Sequence, residues 1–164
     1  MTGYRWRPMT ADDLGAVSAI AMAVHPGFFE RDEVLAEKQQ LYPEGAWLCE
    51  ADGTACGYLL SHPWHGADVP ALDTLLGAVP VIGAYYLHDL ALLPKTRGLG
   101  AAGDIVGIAL GNATAAGFRI ASLVAVNNSQ PFWQRRGFDV ADDPTLAGKL
   151  AAYEAGARYM TRAV

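Results

Sequence analysis

The stretch LALLPKTRGLGAA, residues 90–102, carries the strongest structural signal in this chain. An apolar run ends at a proline, two glycines follow, and an alanine-rich stretch continues to residue 116, which predicts a strand, a tight turn and a helix. The first turn of a helix leaves backbone N–H groups unpaired, and the helix dipole adds positive potential there. The turn is therefore suited to an anion the size of a pyrophosphate, to which Arg97 can add a charge. A strand-to-helix turn without any ligand is the alternative that this stretch alone leaves open.

Two familiar phosphate-binding patterns do not fit the stretch. The sequence has no GxxxxGK[ST], which excludes a nucleotide-triphosphate loop. It also lacks GxGxxG, and the glycine turn comes after a predicted antiparallel hairpin rather than after the first strand of a dinucleotide fold.

Turn residues and hydrophobic periodicity predict the elements around this stretch. Residues 51–54 (ADGT) separate two short apolar runs, as in a β-hairpin. Residues 62–80 hold three prolines and the aromatic pair Trp64 and His65, and they predict a long loop with at most one helical turn at 72–76. The predicted strands are 4–7, 47–50, 55–61, 84–93, 120–126, one beginning at Phe138, and 158–162. The predicted helices are one capped by Thr10 and ended by Pro26, then 30–41, 102–116 and 129–136.

The resulting order is β-α-α-β-β-β-α-β-α-β-β, a mixed α/β (α+β) chain. With 164 residues, of which 52 % are hydrophobic, it is long enough to bury a core, and we expect a single domain over residues 1–164. Neither an internal repeat nor a linker divides it.

Composition narrows the classes of function. A net charge of −5 argues against a nucleic-acid partner. The N-terminus has no apolar core for a signal peptide, and no apolar run is long enough to cross a membrane, so we expect a cytoplasmic protein with no membrane partner. Cys49 and Cys56 lack metal-site spacing and are expected to be two buried thiols, and no metal site is expected.

Two motifs together resemble the GNAT superfamily of N-acetyltransferases. Residues 97–102 (RGLGAA) match the family's pyrophosphate loop [QR]xxGx[GA], and residues 90–94 (LALLP) look like the strand before it. Residues 126–138 (VNNSQPFWQRRGF) are similar to its second signature, an Asn, an aromatic pair and a GF. The opening RPMTADD and closing YMTR are also similar. The resemblance covers essentially the whole chain and implies a GNAT-like domain with a central, mixed, mostly antiparallel sheet flanked by helices.

The resemblance implies acetyl-CoA as cosubstrate. The pantetheine arm would pair with the strand as an extra strand would, and the glycine turn would hold the pyrophosphate. Asn128 would contact the pantetheine arm, although it could instead cap a helix. Phe132 and Trp133 would lie against the arm, although they could instead pack against the core. The implied acetyl-CoA-binding residues are Leu90, Ala91, Leu92, Arg97, Gly98, Leu99, Gly100, Ala101, Ala102, Asn128, Phe132 and Trp133.

Candidate catalytic residues lie on the strand before the glycine turn. Strict alternation would place Tyr86, His88 and Leu90 on one face and Asp89 on the other, where a turn or an Arg would be its partner. Arylalkylamine-type members carry two histidines on this strand, two residues apart; His88 matches the second and Tyr86 stands at the first. We therefore expect His88 as general base, with a core histidine as the alternative.

The residue expected to protonate the leaving thiolate is missing. Many family members have a Tyr at the position of Trp133, and that Tyr acts as the acid. An indole cannot protonate the thiolate in its place. Tyr86, Tyr85, water or proximity alone remain as alternatives.

The acceptor is predicted less sharply than the cosubstrate. We expect a small primary amine, with the 62–80 loop over its site, and a peptide or protein amine as the alternative. A non-catalytic acetyl-CoA-binding sensor or a toxin–antitoxin-like partner is the alternative from another class. The expected oligomeric state is a monomer or a homodimer.

Overall fold

A mixed sheet organises the computed structural model, which describes residues 3–164. Its strands are β1 (Arg5–Pro8), β2 (Ala46–Ala51), β3 (Thr54–Trp64), β4 (Ala84–Leu92), β5 (Ile120–Ala125), β6 (Asp139–Val140) and β7 (Arg158–Ala163). Its α-helices are α1 (Leu14–Val24), α2 (Asp32–Leu41), α3 (Ala101–Ala115), α4 (Gln130–Gln134) and α5 (Ala147–Tyr153).

The strand order is β1-β2-β3-β4-β5-β7-β6. Only β4 and β5 run parallel among the pairs in residues 3–164, which confirms the predicted mixed, mostly antiparallel sheet. The predicted hairpin is also confirmed. Asp52 and Gly53 have φ angles of 55° and 73°, as the two central residues of a tight hairpin turn require.

The parallel pair separates soon after it forms. β4 and β5 are aligned at Tyr85 with Ala121 and at Tyr86 with Ser122, and no further pair follows although β4 continues to Leu92. A one-residue bulge lies where the separation begins: Asp89 pairs with Leu60 but Leu87 with Ser61, so His88 is the extra residue. A bulge bends a strand and increases its twist. This bend leaves residues 87–92 with a free backbone edge towards β5.

The bulge also corrects the predicted alternation on β4. Leu90 packs in the same cluster as Tyr85 and Leu87, against α3. Asp89 contacts Tyr58, which belongs to the opposite cluster with α1 and α2. The prediction that Leu90 shares a face with Tyr86 and His88 was therefore wrong, because one extra residue reverses which face each following side chain occupies.

The prediction also missed one helix and misplaced the end of one strand. α5, between β6 and β7, is only 7 residues long, and only Leu150 and Tyr153 in it are partly buried, so its apolar period is too short to indicate a helix. β3 continues through His62 to Trp64, so the loop begins three residues later. Within 72–76 the chain forms a turn at residues 72–73 and is irregular at 74–76, where a helical turn was expected. A proline lies inside the longer strand, at Pro63.

Cys49 and Cys56 are both buried free thiols, as predicted. Across residues 3–164, every helix is too short or too polar to cross a membrane.

Candidate active site

A cavity of about 630 Å³ opens where β4 and β5 separate. One wall is the free edge of β4, the floor is the glycine turn with the start of α3, and the opposite wall comes from the end of β5 and from α4. The bulged residues His88 and Asp89 lie at its inner end, together with His25 from the C-terminal end of α1.

The predicted glycine turn forms one end of this cavity. Gly98 and Gly100 have φ angles of 82° and 90°, in the left-handed region that favours glycine, and space around Gly98 is open. α3 starts immediately afterwards, so its first N–H groups point to this end. Arg97 donates from Nε to the Leu92 carbonyl, 3.1 Å away. Of the six residues predicted here, all but Leu99 line the cavity.

The backbone of β4 presents alternate residues to the cavity. The N–H of Leu93 donates to Cys56 across the β3 ladder at 2.8 Å, so in an antiparallel ladder Ala91 also pairs with β3. Leu90 and Leu92 then direct their N–H and C=O groups towards the cavity. Ala91, a predicted binding residue, is buried between strand and helices and does not line it.

The second signature supplies the opposite wall. Phe132 and Trp133 both line the cavity; Phe132 is half-buried, and Trp133 is 8 % exposed and packs edge-on against Phe138. Asn128 is exposed with a φ of 58°, and its neighbours Asn127 and Ser129 line the cavity instead.

A smaller pocket of about 50 Å³ meets the cavity at its inner end. His25, His88 and Asp89 line both spaces. The residues found only in the smaller pocket are Phe28, Glu30, Leu72, Tyr86 and Tyr153.

His88 is held in a buried chain of polar groups that the sequence did not reveal. The Pro63 carbonyl can only accept, so His62 Nδ1, 2.8 Å away, carries a proton. Burial, followed by the charge of His88, lowers the pKa of His62 to about 3, so its ring is neutral and Nε2 accepts from His88 Nδ1 at 3.3 Å. The other nitrogen of His88 lies 3.4 Å from Glu30 Oε1.

Glu30 is the last group of this chain, and its carboxyl group is ionised. Burial works to raise the pKa of Glu30, but the positive charges of His88 and Lys38 outweigh it and lower that pKa to about 2. An ionised carboxylate only accepts, so His88 donates to Glu30 through Nε2. Its side chain is 3 % exposed.

His25 and Asp89 form a second polar group at the junction. His25 Nε2 lies 3.2 Å from both Asp89 Oδ1 and the Leu90 carbonyl, while Tyr58 donates to Asp89 Oδ2 at 2.6 Å. Burial works to lower the pKa of His25, but the bond to Asp89 outweighs it and raises that pKa. The partners of Asp89 are thus a histidine and a tyrosine, where a turn or an arginine was expected.

Tyr86 is fully buried beside His62, His88 and Tyr153. Burial raises its pKa well above the usual range, so the hydroxyl keeps its proton at neutral pH. Tyr85 lies on the α3 side of the sheet, bonded to Ser61, and lines neither space.

The loop between β3 and β4, residues 65–83, closes the smaller pocket through Leu72. Side chains from the region of α2 and from α5 hold its backbone on both sides. The carboxylate of Glu30 accepts from Asp73 N (3.2 Å), and that of Glu37 accepts from Leu76 N (2.6 Å) and Gly77 N (2.8 Å). Arg31 Nη2 donates to the Asp73 carbonyl (3.1 Å), and the Tyr153 hydroxyl donates to the Pro70 carbonyl (2.8 Å).

The strand, glycine turn and helix predicted from residues 90–116 are present beside this cavity. The sequence also matches a family description, Acetyltransferase (GNAT) family, over residues 14–138. The chain belongs to the GNAT acetyltransferase family. It is accordingly an acetyl-CoA-dependent acetyltransferase. No curated protein matches its sequence.

Solved GNAT structures share the fold at low sequence identity. A GNAT-like decarboxylase, GphF, in complex with isobutyryl-CoA has a TM-score of 0.78 at 16 % identity, over 97 % of this chain and 98 % of that one. Naa50 of Arabidopsis thaliana, in complex with the bisubstrate analogue CoA-Ac-MVNAL, has a TM-score of 0.70 at 14 % sequence identity, over 96 % of each chain. PaiA N-acetyltransferase of Thermoplasma acidophilum, in complex with coenzyme A, has a TM-score of 0.69 at 13 % sequence identity, over 99 % of each chain. The finer resemblance to arylalkylamine-type members stays a prediction.

The residues present fit coenzyme A. The cavity offers a free strand edge for the pantetheine arm, and left-handed glycines and a helix start offer N–H groups for a pyrophosphate. Among the described residues 3–164, no three His, Cys, Asp or Glu side chains are grouped as a metal site would require.

Proposed function

We propose that this GNAT enzyme transfers the acetyl group from acetyl-CoA to the primary amine of a small molecule, by direct attack in a ternary complex. The observation that carries this proposal is the junction of two spaces of unequal size, about 630 Å³ and 50 Å³, at His25, His88 and Asp89. The larger space suits the cosubstrate, and the smaller one suits a compact amine.

Acetyl-CoA would lie along the free edge of β4. Leu90 and Leu92 offer backbone groups to the pantetheine arm, residues 97–102 surround the pyrophosphate, and Phe132 lies against the arm. Backbone N–H groups near Leu92 would also donate to the oxyanion that develops on the acetyl carbonyl. The role predicted for Asn128 stays a prediction, since its neighbours line the cavity in its place.

The clamped 65–83 loop supports a small acceptor over a peptide. Its backbone is bonded to side chains on both sides, so the smaller pocket stays narrow unless several hydrogen bonds break. A peptide needs an open groove for its backbone. A peptide amine is nevertheless the second candidate, because Naa50, which shares the fold, is described with a peptide-based bisubstrate analogue.

Proton transfer would fall to polar groups at the junction. His88, the predicted base, donates through both nitrogens and accepts a proton only after it has given one up. His25 has Nε2 directed at Asp89, while its Nδ1 has no partner within residues 3–164. Tyr86, whose raised pKa keeps its hydroxyl protonated, would donate a proton to the leaving thiolate.

The test combines calorimetric titration of acetyl-CoA with a thiol-release assay over small amines, polyamines and peptides. Gly100→Glu places a carboxylate at the pyrophosphate end and should abolish binding. Gly107→Glu, the same change at an exposed position of α3, should bind normally. Turnover confined to peptides would replace the small-amine proposal, and binding without turnover on any amine would favour a sensor.

The pH dependence of kcat/KM assigns the proton acceptor. His88→Gln should remove the acidic limb of the profile if His88 is the base, and His25→Gln should remove it if His25 is. A profile with an intact acidic limb in both variants would exclude both histidines.

A further inference from the structure

Arg136, in the turn after α4, lines the large cavity at the end formed by the glycine turn and the start of α3. Its guanidinium carbon lies 3.9 Å from the centre of the Phe132 ring, and Nη1 lies 3.4 Å from the Phe132 carbonyl. Nη2 reaches the first turn of α3, where a Cβ on Gly103 would stand only 2.7 Å from it. The glycine thus leaves the space that this guanidinium occupies.

This cation has unused donors. Its Nε is buried and has no partner within residues 3–164, and no carboxylate in that range forms an ion pair with Arg136. A buried donor without an acceptor is costly, more so on a charged group. The arrangement is therefore explained best by an anion that binds there.

The neighbouring groups favour a phosphate anion. Arg136 and Gly103 both line the large cavity, and Gly103 belongs to the helix turn whose N–H groups are unpaired. Arg97, the charge predicted for this role, instead donates from Nε to Leu92 O. A guanidinium that is stacked on an aromatic ring keeps its plane fixed, and its fork of N–H groups matches phosphate oxygens.

We propose that Arg136 is a pyrophosphate-binding residue of this enzyme, holding the phosphates of acetyl-CoA against the first turn of α3 from the α4 side. The proposal rests on the proposed function for the identity of the ligand. The anion site itself does not, because any pyrophosphate would meet the same donors.

The experiment measures binding of two probes, acetyl-CoA and inorganic pyrophosphate, by calorimetry, and turnover with S-acetylpantetheine, which lacks the phosphates. Arg136→Met should weaken the binding of acetyl-CoA and of pyrophosphate about ten- to hundredfold, as expected when charge-assisted hydrogen bonds are lost. It should leave kcat/KM for S-acetylpantetheine unchanged. Gly103→Ala, which pushes the guanidinium aside without removing it, should also weaken the binding of both phosphate-bearing probes. Arg119→Met, at an exposed arginine outside the cavity, is the matched control.

These measurements distinguish a phosphate-binding role of Arg136 from a structural role. Unchanged affinity in Arg136→Met, or an equal loss with S-acetylpantetheine, would overturn the proposal and assign Arg136 a structural role. A structural role would also lower the Tm without ligand, whereas a phosphate-binding role should leave it close to that of Arg119→Met. If pyrophosphate binding depends on Arg136 but no amine is acetylated, the anion site stands and the small-amine transferase fails. If amines are acetylated and Arg136→Met binds acetyl-CoA normally, the reverse holds.

Discussion

Acidification from pH 6.5 to pH 5.0 should destabilise this protein through His62. The side chain is fully buried and donates to the Pro63 carbonyl, and burial, then the charge of His88, lowers its pKa to about 3 from the ordinary 6.5. The unfolded chain takes up a proton on this ring near pH 6.5, but the folded protein does not. The contribution is therefore complete above pH 6.5 and is lost as the pH falls towards 3.

The magnitude follows from the two pKa values. Each pH unit between them removes about 1.4 kcal/mol, so His62 alone costs about 2 kcal/mol of unfolding free energy between pH 6.5 and pH 5.0. His25 works in the opposite direction, because its pKa is raised and its contribution is largest at low pH.

Urea unfolding of wild type and His62→Gln at pH 7.5, 6.5 and 5.0 isolates this term. The glutamine amide can still donate to Pro63, does not titrate, and leaves His25 in both proteins. The stability gap between the two should shift by about 2 kcal/mol in favour of the variant as the pH falls from 6.5 to 5.0. A gap that is constant over that range would refute the reasoning, because His62 would then titrate alike in the folded and unfolded chain.

Three further changes test the fold and the loop over the smaller pocket. Gly45→Ala places a Cβ 2.0 Å from the Ser61 carbonyl and should cost about 1–3 kcal/mol in urea unfolding; an unchanged midpoint would contradict this contact. Tyr58→Phe removes the donor to Asp89 and should cost about 2 kcal/mol in the same assay, and a neutral effect would mean that Asp89 finds another donor. Asp73→Ala removes the two hydrogen bonds that the Asp73 carboxylate accepts from Arg31, which weakens the attachment of the 65–83 loop, and should raise KM for the amine while the calorimetric Kd of acetyl-CoA is unchanged. A parallel rise in both would show that the loop also shapes the cosubstrate cavity.

Much of the cosubstrate site was predictable because its signals are local. A proline that ends a strand, glycines that adopt left-handed φ angles and a helix that starts at once are all encoded within residues 90–102. The hairpin at Asp52 and Gly53 was predictable for the same reason. Turn residues and hydrophobic periodicity predicted most of the element order, whereas the mostly antiparallel sheet was implied by the resemblance to the GNAT family. The 7-residue helix α5 was too short to be predicted.

The surroundings of the candidate catalytic residues were decided by tertiary structure. Alternation on a regular strand cannot foresee the bulge at His88, which arises from pairing with β3 and reverses the faces of Asp89 and Leu90. The partners of His88 come from β3 and from the segment before α2, far apart in the chain, so no local pattern joins them.

Arg136 shows the same division between sequence and structure. Two adjacent arginines precede the GF of the second signature, and nothing in their sequence distinguishes them. The sequence by itself determined the glycine turn and the helix start, because backbone geometry there follows from neighbouring residues. Only the tertiary structure decided which arginine lies against the first turn of α3, because the surroundings of a side chain depend on every element that packs around it.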